Sequence, residues 1–261
     1  MIIELRDVTV RRAGRTILGP IDWQVREGER WVVLGPNGSG KTTLLSVASM
    51  NLWPTTGTVD VLGERYGRTD ARELRRRVGF AGSAIEAAMR PDLTAETLIM
   101  TARHGAFEPW WHVYDDVDRA RARELGERMG LAGHLDQAFG TLSAGERRRT
   151  SIARALMPDP DVLVLDEPTA SLDLAARELL LADLGALADE PRPRAVILVS
   201  HHLEEIPLGF EHALVLAGGR LLAAGPAGSV LRDDVIGEAF GLPLTIERRG
   251  DRWTARMRRP G

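Results

Sequence analysis

Cysteine is absent from the 261 residues, so disulfides and thiolate metal sites are excluded, which fits a reducing compartment. Lysine is nearly absent too. Of 34 basic residues the only lysine is Lys41, and every other one is arginine. No apolar run approaches the ~18 residues of a membrane-spanning helix. The opening MIIELRDVTV lacks a basic region followed by an apolar core and reads as a strand, not as a signal peptide. A formal charge of −3 supplies no bulk cationic field, and no nucleic-acid partner is expected. Internal repeats and low-complexity linkers are missing as well. What remains is an ordinary globular composition, 44% hydrophobic and 27% charged, long enough for one large domain or two small ones.

One stretch organises the chain: WVVLGPNGSGKTTLL, residues 31–45. Trp31 to Leu34 read as a buried parallel strand and TTLLSVASM as a helix. Between them Gly35, Pro36, Asn37, Gly38, Ser39, Gly40, Lys41 and Thr42 fit G-x-x-x-x-G-K-[ST], the pattern of a phosphate-binding loop. Glycines let the backbone take positive φ and approach a phosphate closely. Successive N–H groups then face one concavity, and the helix start adds its positive dipole end. Lys41 brings a point charge to the β- and γ-phosphates. The Thr42 hydroxyl is placed for Mg²⁺, with Thr43 beside it. A lysine that survives only here points to a task that arginine's planar fork does not perform.

Residues 2–10 alternate as an antiparallel strand does, RRAG at 11–14 is a turn, and ILGPIDWQV leads into a second strand. The helix after the phosphate loop is expected over 41–52, stopped by Pro54. TGTVDVLG, 56–63, reads as a strand. Another is expected at 78–81, after a charged helix end whose Arg75, Arg76 and Arg77 form a solvated face. From about 84 to 157 the chain looks helical, with Thr94 as a cap. Trp110 and Trp111 leave two readings open, an exposed contact surface or a plug beneath a loop. Ser143 with Glu146 three residues on is the capping-box pattern. VLVLDEP (162–168) and AVILVS (195–200) read as buried parallel strands, with a helix at 174–188 between them. The tail holds strands near 212–217 and 220–224, a helix near 233–240 and an alternating pair over 244–257. Strands alternating with helices around a phosphate loop predict an α/β fold with a mostly parallel sheet.

Ligands of open α/β sheets sit at the carboxyl ends of the strands. Three such ends carry chemistry here. The first holds the phosphate loop. The second holds Asp166, suited to Mg²⁺, and Glu167, suited to polarise a water for in-line attack on a γ-phosphate. The third holds His201, which can hydrogen-bond that phosphate or that water.

In this order and context the residues resemble the import-type nucleotide-binding subunits of ABC transporters, over essentially the whole length. The matching motifs are GPNGSGKT (Walker A), LSAGE at Leu142, Ser143, Ala144, Gly145 and Glu146 (the signature), VLVLDEP (Walker B), Ser171, Leu172 and Asp173 (the D-loop) and His201 (the switch histidine). The resemblance implies a P-loop NTPase core, an N-terminal antiparallel β-subdomain, a helical signature subdomain at about 84–157 and a short β tail at about 241–261, in a single ATP-binding domain spanning 1–261. It implies an ATPase that uses ATP and Mg²⁺ in the cytoplasm, peripheral on the inner face of the cell membrane and coupled to a separate membrane permease. It further implies a head-to-tail homodimer formed on ATP binding, in which Ser143 and Gly145 close over the ATP of the other subunit. The tail GLPLTIERRGDRWTA is similar to that of importers of metal chelates or oxyanions.

Two departures stand out. Arg12 (or Arg11) occupies the place of an aromatic that stacks on adenine, a task a guanidinium can also perform. Ser83 stands where a Mg²⁺-contacting glutamine is usual. Ala144 and Glu146 replace the commoner glycine and glutamine of the signature. Ser83 also keeps open a soluble ABC ATPase with no permease. A small-molecule kinase would leave LSAGE, SLD and His201 unexplained.

Overall fold

The computed structural model describes residues 1–170, 172–187 and 190–258. The chain divides into two compact units, residues 1–75 with 194–261, and residues 76–193.

In the first unit β1 (Ile3–Arg12), β2 (Arg15–Val25), β4 (Thr56–Val61) and β5 (Glu64–Arg65) form an antiparallel sheet in the order β2-β1-β4-β5. The period-2 pattern explains it: Ile3, Leu5, Val8 and Val10 are buried while Arg6 and Arg11 face water. Ala13 and Gly14, both at positive φ (48° and 77°), make the two-residue turn between β1 and β2. A second set of strands runs in the order β10 (Arg220–Pro226), β9 (His212–Ala217), β3 (Arg30–Leu34), β8 (Ala195–Ser200). β3 is parallel to both its neighbours, and only β9 and β10 pair antiparallel. Every residue of β3 and β8 is buried, as parallel strands covered on both faces require. Leu34 pairs with Ser200, so the carboxyl ends of these two strands are level.

Helix α1 (Lys41–Ala48) is shorter than the 41–52 expected. Met50 takes a left-handed φ of 58°, and the Asn51 and Leu52 N–H groups return to the Ser46 carbonyl. That reversal ends the helix before Pro54 is reached. α2 (Ala71–Arg76) leads out of this unit. The tail supplies α8 (Ala227–Val230), α9 (Asp233–Phe240) and the hairpin β11 (Leu244–Arg249)/β12 (Arg252–Met257), close to the predicted spans.

The second unit contains β6 (Val78–Ala81) parallel to β7 (Val162–Asp166), with α3 (Ser83–Ala88), α4 (Ala95–Thr101), α5 (Asp116–Arg128), α6 (Ala144–Leu156) and α7 (Leu174–Ala186). Thr94 caps α4, accepting from the Thr97 N–H at 3.2 Å. Buried arginines on α6 knit the unit together. Arg149 donates to the Met129 carbonyl and pairs with Asp183, both at 2.9 Å. Arg154 donates to the Ala106 carbonyl at 2.6 Å and lies 4.3 Å over the Phe107 ring; burial pushes its pKa down to about 10. Arg75, Arg76 and Arg77 are exposed as expected, although Arg77 also clamps the buried Asp161 at 2.7 Å. Trp110 and Trp111 are 58% and 80% exposed with their rings 5.4 Å apart, which excludes the plug and leaves a surface. Among the described residues no helix is long and apolar enough to cross a membrane.

Candidate functional site

The phosphate loop leaves β3 at Leu34. Gly35 has φ 151°, and a Cβ there would lie 2.2 Å from the Leu216 carbonyl oxygen and 2.7 Å from Ser39 Oγ, so no larger residue fits. Lys41 is buried. Its Nζ donates to the carbonyls of Gly35 (2.8 Å) and Pro36 (3.1 Å), so the loop curls around the ammonium. Ser39 Oγ is buried without a hydrogen-bond partner among the described residues. Asn37, Gly38 and Thr42 are exposed, and Thr43 is half-buried. Helix α1 opens at Gly40 with no side-chain cap and no acidic residue in its first turn. The positive end of the helix dipole there favours an anion.

His201 follows β8 in the same unit. Its turn is pinned by Ser200, whose hydroxyl donates to the buried Glu205 carboxylate and accepts from the His202 N–H at 2.9 Å. The rings of His201 and His202 are 4.1 Å apart. Glu205 is a positioning residue that the motifs did not reveal; its signal was a carboxylate five residues beyond a strand-end serine. Arg12 stands exposed at the tip of the β1–β2 hairpin.

In the second unit β7 delivers Asp166 at its end. Glu167 follows with a left-handed φ of 49°. Such a backbone is uncommon for glutamate and breaks the strand's alternation, so the two adjacent carboxylates stand in different backbone environments. The end of β6 comes up against the same place: a Cβ on Gly82 would lie 3.0 Å from Asp166 Cβ.

The signature forms the predicted cap. Ser143 Oγ accepts from the Glu146 N–H (3.3 Å), and Glu146 accepts from the Ser143 N–H (2.7 Å), opening the 13-residue helix α6. That backbone bond holds the Glu146 carboxyl below its ordinary pKa. Leu142 is buried, Ser143 and Ala144 are exposed, and Gly145 is half-buried. A Cβ on Gly145 would meet Leu172 at 3.4 Å. Asp173 caps α7, accepting from the Ala176 N–H at 2.8 Å; Ser171 lies outside the described residues. Ser143, Gly145, Glu146, Arg149 and Asp173 line one groove of about 460 Å³.

A family profile described as ABC transporter matches residues 18–170, which include the phosphate loop, the signature and the Asp166–Glu167 pair. The chain belongs to the ABC transporter family. It is an ABC ATPase with a P-loop NTPase fold. The ABC transporter ATP-binding protein YlmA of Bacillus subtilis (strain 168) is 36% identical over 255 residues, covering 97% of this chain and 96% of that one. The phosphate-import ATP-binding protein PhnC of Mycolicibacterium smegmatis is 36% identical over 247 residues, with 90% and 91% covered. Among solved structures, the ATP-binding cassette MJ0796, a dimer in a post-hydrolysis state bound to ADP and Pi, matches with a TM-score of 0.75 at 26% identity, covering 86% of this chain and 98% of that one.

In this ABC ATPase the segment after β6 is helical, as expected from about residue 84, and the helix opens one residue earlier. Ser83 is its exposed first residue, and α3 begins without a side-chain cap. Glu86, one turn on, pairs at 2.8 Å with the buried Arg148 of α6, five residues beyond Ser143. Burial raises the Glu86 pKa and the Arg148 charge opposes that. The ion-paired side chain of this segment is thus Glu86. Ser83→Ala is expected to change basal ATPase only a few-fold, because one short exposed hydroxyl is replaceable by water. Steady-state turnover with a melting curve checks this; a loss beyond about a hundredfold would make Ser83 a direct participant in hydrolysis.

Proposed function

We propose that this ABC ATPase works as a head-to-tail homodimer that powers a separate membrane permease, in the import of an oxyanion or a metal chelate, with the whole chain acting as one ATP-binding domain. Gly35 to Thr43 hold the phosphates, Glu167 polarises the attacking water and His201 hydrogen-bonds the γ-phosphate. For Mg²⁺, Thr42 supplies a hydroxyl and Asp166 a carboxylate. Among the described residues no group of three or more His, Asp or Glu is arranged to hold a metal. That donor set suits Mg²⁺, which keeps several waters and arrives on substrate phosphates instead of filling a protein cage. Bound there, it neutralises charge on the β- and γ-phosphates.

The observation that carries the dimer is the exposed, capped start of α6. Ser143 is exposed there and its Oγ is fixed by the bond it accepts from the Glu146 N–H, so the start of the helix presents one ordered face to an anion. Ser143→Arg is expected to leave ATP binding by the monomer intact and to abolish hydrolysis, because the bulky side chain blocks only the face offered to a second subunit. Mixing it with Lys41→Ala subunits should restore at most one of the two sites. Loss of ATP binding by the Ser143→Arg monomer itself would sink the in-trans role. Relatives named for import, such as the phosphate-import protein above, support the permease. Ser83, too short to span to a metal, supports the alternative of an ABC ATPase with no permease. Affinity purification from membranes decides between them: recovery of a polytopic protein supports the first, and its absence the second.

A further inference from the structure

Strands β11 and β12 form a sheet of two, so both are edges with outward backbone groups to satisfy. The chain reverses between them at Gly250, which takes a φ of 58°. Ile246 and Ala255 stand opposite each other in the register, and each sends its N–H away from the partner strand. Both outward donors meet a carboxylate. Ile246 donates to Asp233 Oδ1 of α9 at 2.8 Å, and Ala255 donates to Glu204 Oε1 at 3.2 Å. Arg258 also pairs with Asp233, at 2.8 Å. Arg252 Nη1 donates to the Glu204 carbonyl at 3.3 Å, so β12 holds Glu204 by side chain and backbone together. Bonds from an N–H to a carboxylate are charge-assisted and stronger than neutral ones.

One edge of the C-terminal hairpin is thus fixed to α9 and the other to a residue three positions beyond His201. Glu204 lies in the 3₁₀ turn Leu203–Glu205, half-buried between buried Leu203 and Glu205. The Glu205 N–H returns to the His202 carbonyl (3.4 Å) and the Ile206 N–H to the Leu203 carbonyl (3.2 Å). Ser200 and Glu205 are bonded to each other through their side chains. His201 therefore sits in a six-residue loop closed at its base, and Glu204 ties that loop to the tail. A side chain that must meet a phosphate gains from such a tie, because a displacement of about 1 Å originating far from the chemistry can cost about a hundredfold in rate.

We propose that Glu204 is a positioning residue for His201: through Glu204 the C-terminal hairpin holds the turn from which His201 reaches the γ-phosphate, and hydrolysis depends on the tail. The inference rests on the role of His201 proposed above. Steady-state ATPase with melting curves tests it on Glu204→Ala, Glu204→Gln and Ala255→Pro. Glutamine keeps an acceptor oxygen for the Ala255 N–H. Proline at 255 removes the donor from the other side, and an outward N–H on an edge strand is a place where proline is tolerated. Glu204→Ala is expected to lower kcat by about tenfold to a hundredfold with KM for ATP within about twofold, the pattern of a displaced group that acts in the transition state. Ala255→Pro should reproduce that loss, and Glu204→Gln should recover most of it. In a His201→Ala background Glu204→Ala should cost less than about twofold more, because His201 carries its effect. A purely structural role would cost the same factor in both backgrounds. Full turnover by Glu204→Ala or, should that variant not fold, by Ala255→Pro overturns the proposal, as does the same loss repeated in His201→Ala. Failure of the His201 reading looks different: His201→Ala itself would then hydrolyse ATP at the unaltered rate.

Discussion

Glu167→Gln is expected to slow ATP hydrolysis by about 10²–10⁴-fold, the scale of a positioned general base, while ATP still binds. The substitution keeps the length and shape of the side chain and removes its ability to take a proton from water. The left-handed backbone at this residue makes the choice of substituent matter. A β-branched residue there would add strain of its own, whereas glutamine changes charge alone. With hydrolysis stalled, the ATP-bound pair of subunits should accumulate, visible as a dimer in sedimentation with ATP and Mg²⁺. Normal turnover by the variant would remove Glu167 from the chemistry, and a purely monomeric variant under those conditions would remove the dimer.

The second large effect falls on binding. On the proposed assignment Lys41→Ala deletes charge-assisted contacts to two phosphates, each ordinarily about 1.5–3 kcal/mol. ATP affinity should fall by roughly 10²–10⁴-fold. Titration calorimetry reads this directly, and unchanged affinity would refute the assignment. The ammonium also bonds the Gly35 and Pro36 carbonyls, so the variant loses contacts in the nucleotide-free protein as well. A melting curve without nucleotide separates that structural cost from the loss of ligand binding.

The parts of the fold that were legible are those in which local chemistry and tertiary demand agree. β8 spans the predicted 195–200, and β3 and β7 contain their predicted apolar runs, with Arg30 added at the start of β3 and β7 ending at Asp166 instead of 168, because strands covered on both faces favour apolar residues. The Ser143–Glu146 cap follows from a spacing of three and backbone geometry alone. The parts that were not legible depend on contacts distant in sequence. Helix α1 ends early through a left-handed Met50, a residue with no propensity for that conformation. Glu86 of α3 finds Arg148, and the charge of Arg148 gives no hint that it is buried. The pinning of the His201 turn by Ser200 and Glu205 is a pairing of side chains that no motif encodes.

The solitary lysine has a consequence for chemical reactivity. Acylating or carbamylating reagents attack side-chain amines, and within this chain the only such amine belongs to Lys41, 6% exposed among the carbonyls of its own loop. Modification there removes the charge, so acetylation of Lys41 is expected to abolish nucleotide binding. The rate at which Lys41 takes up an amine label, read apart from the α-amino group of Met1, therefore measures how often the phosphate loop opens, with no engineered probe, and a bound nucleotide should slow it.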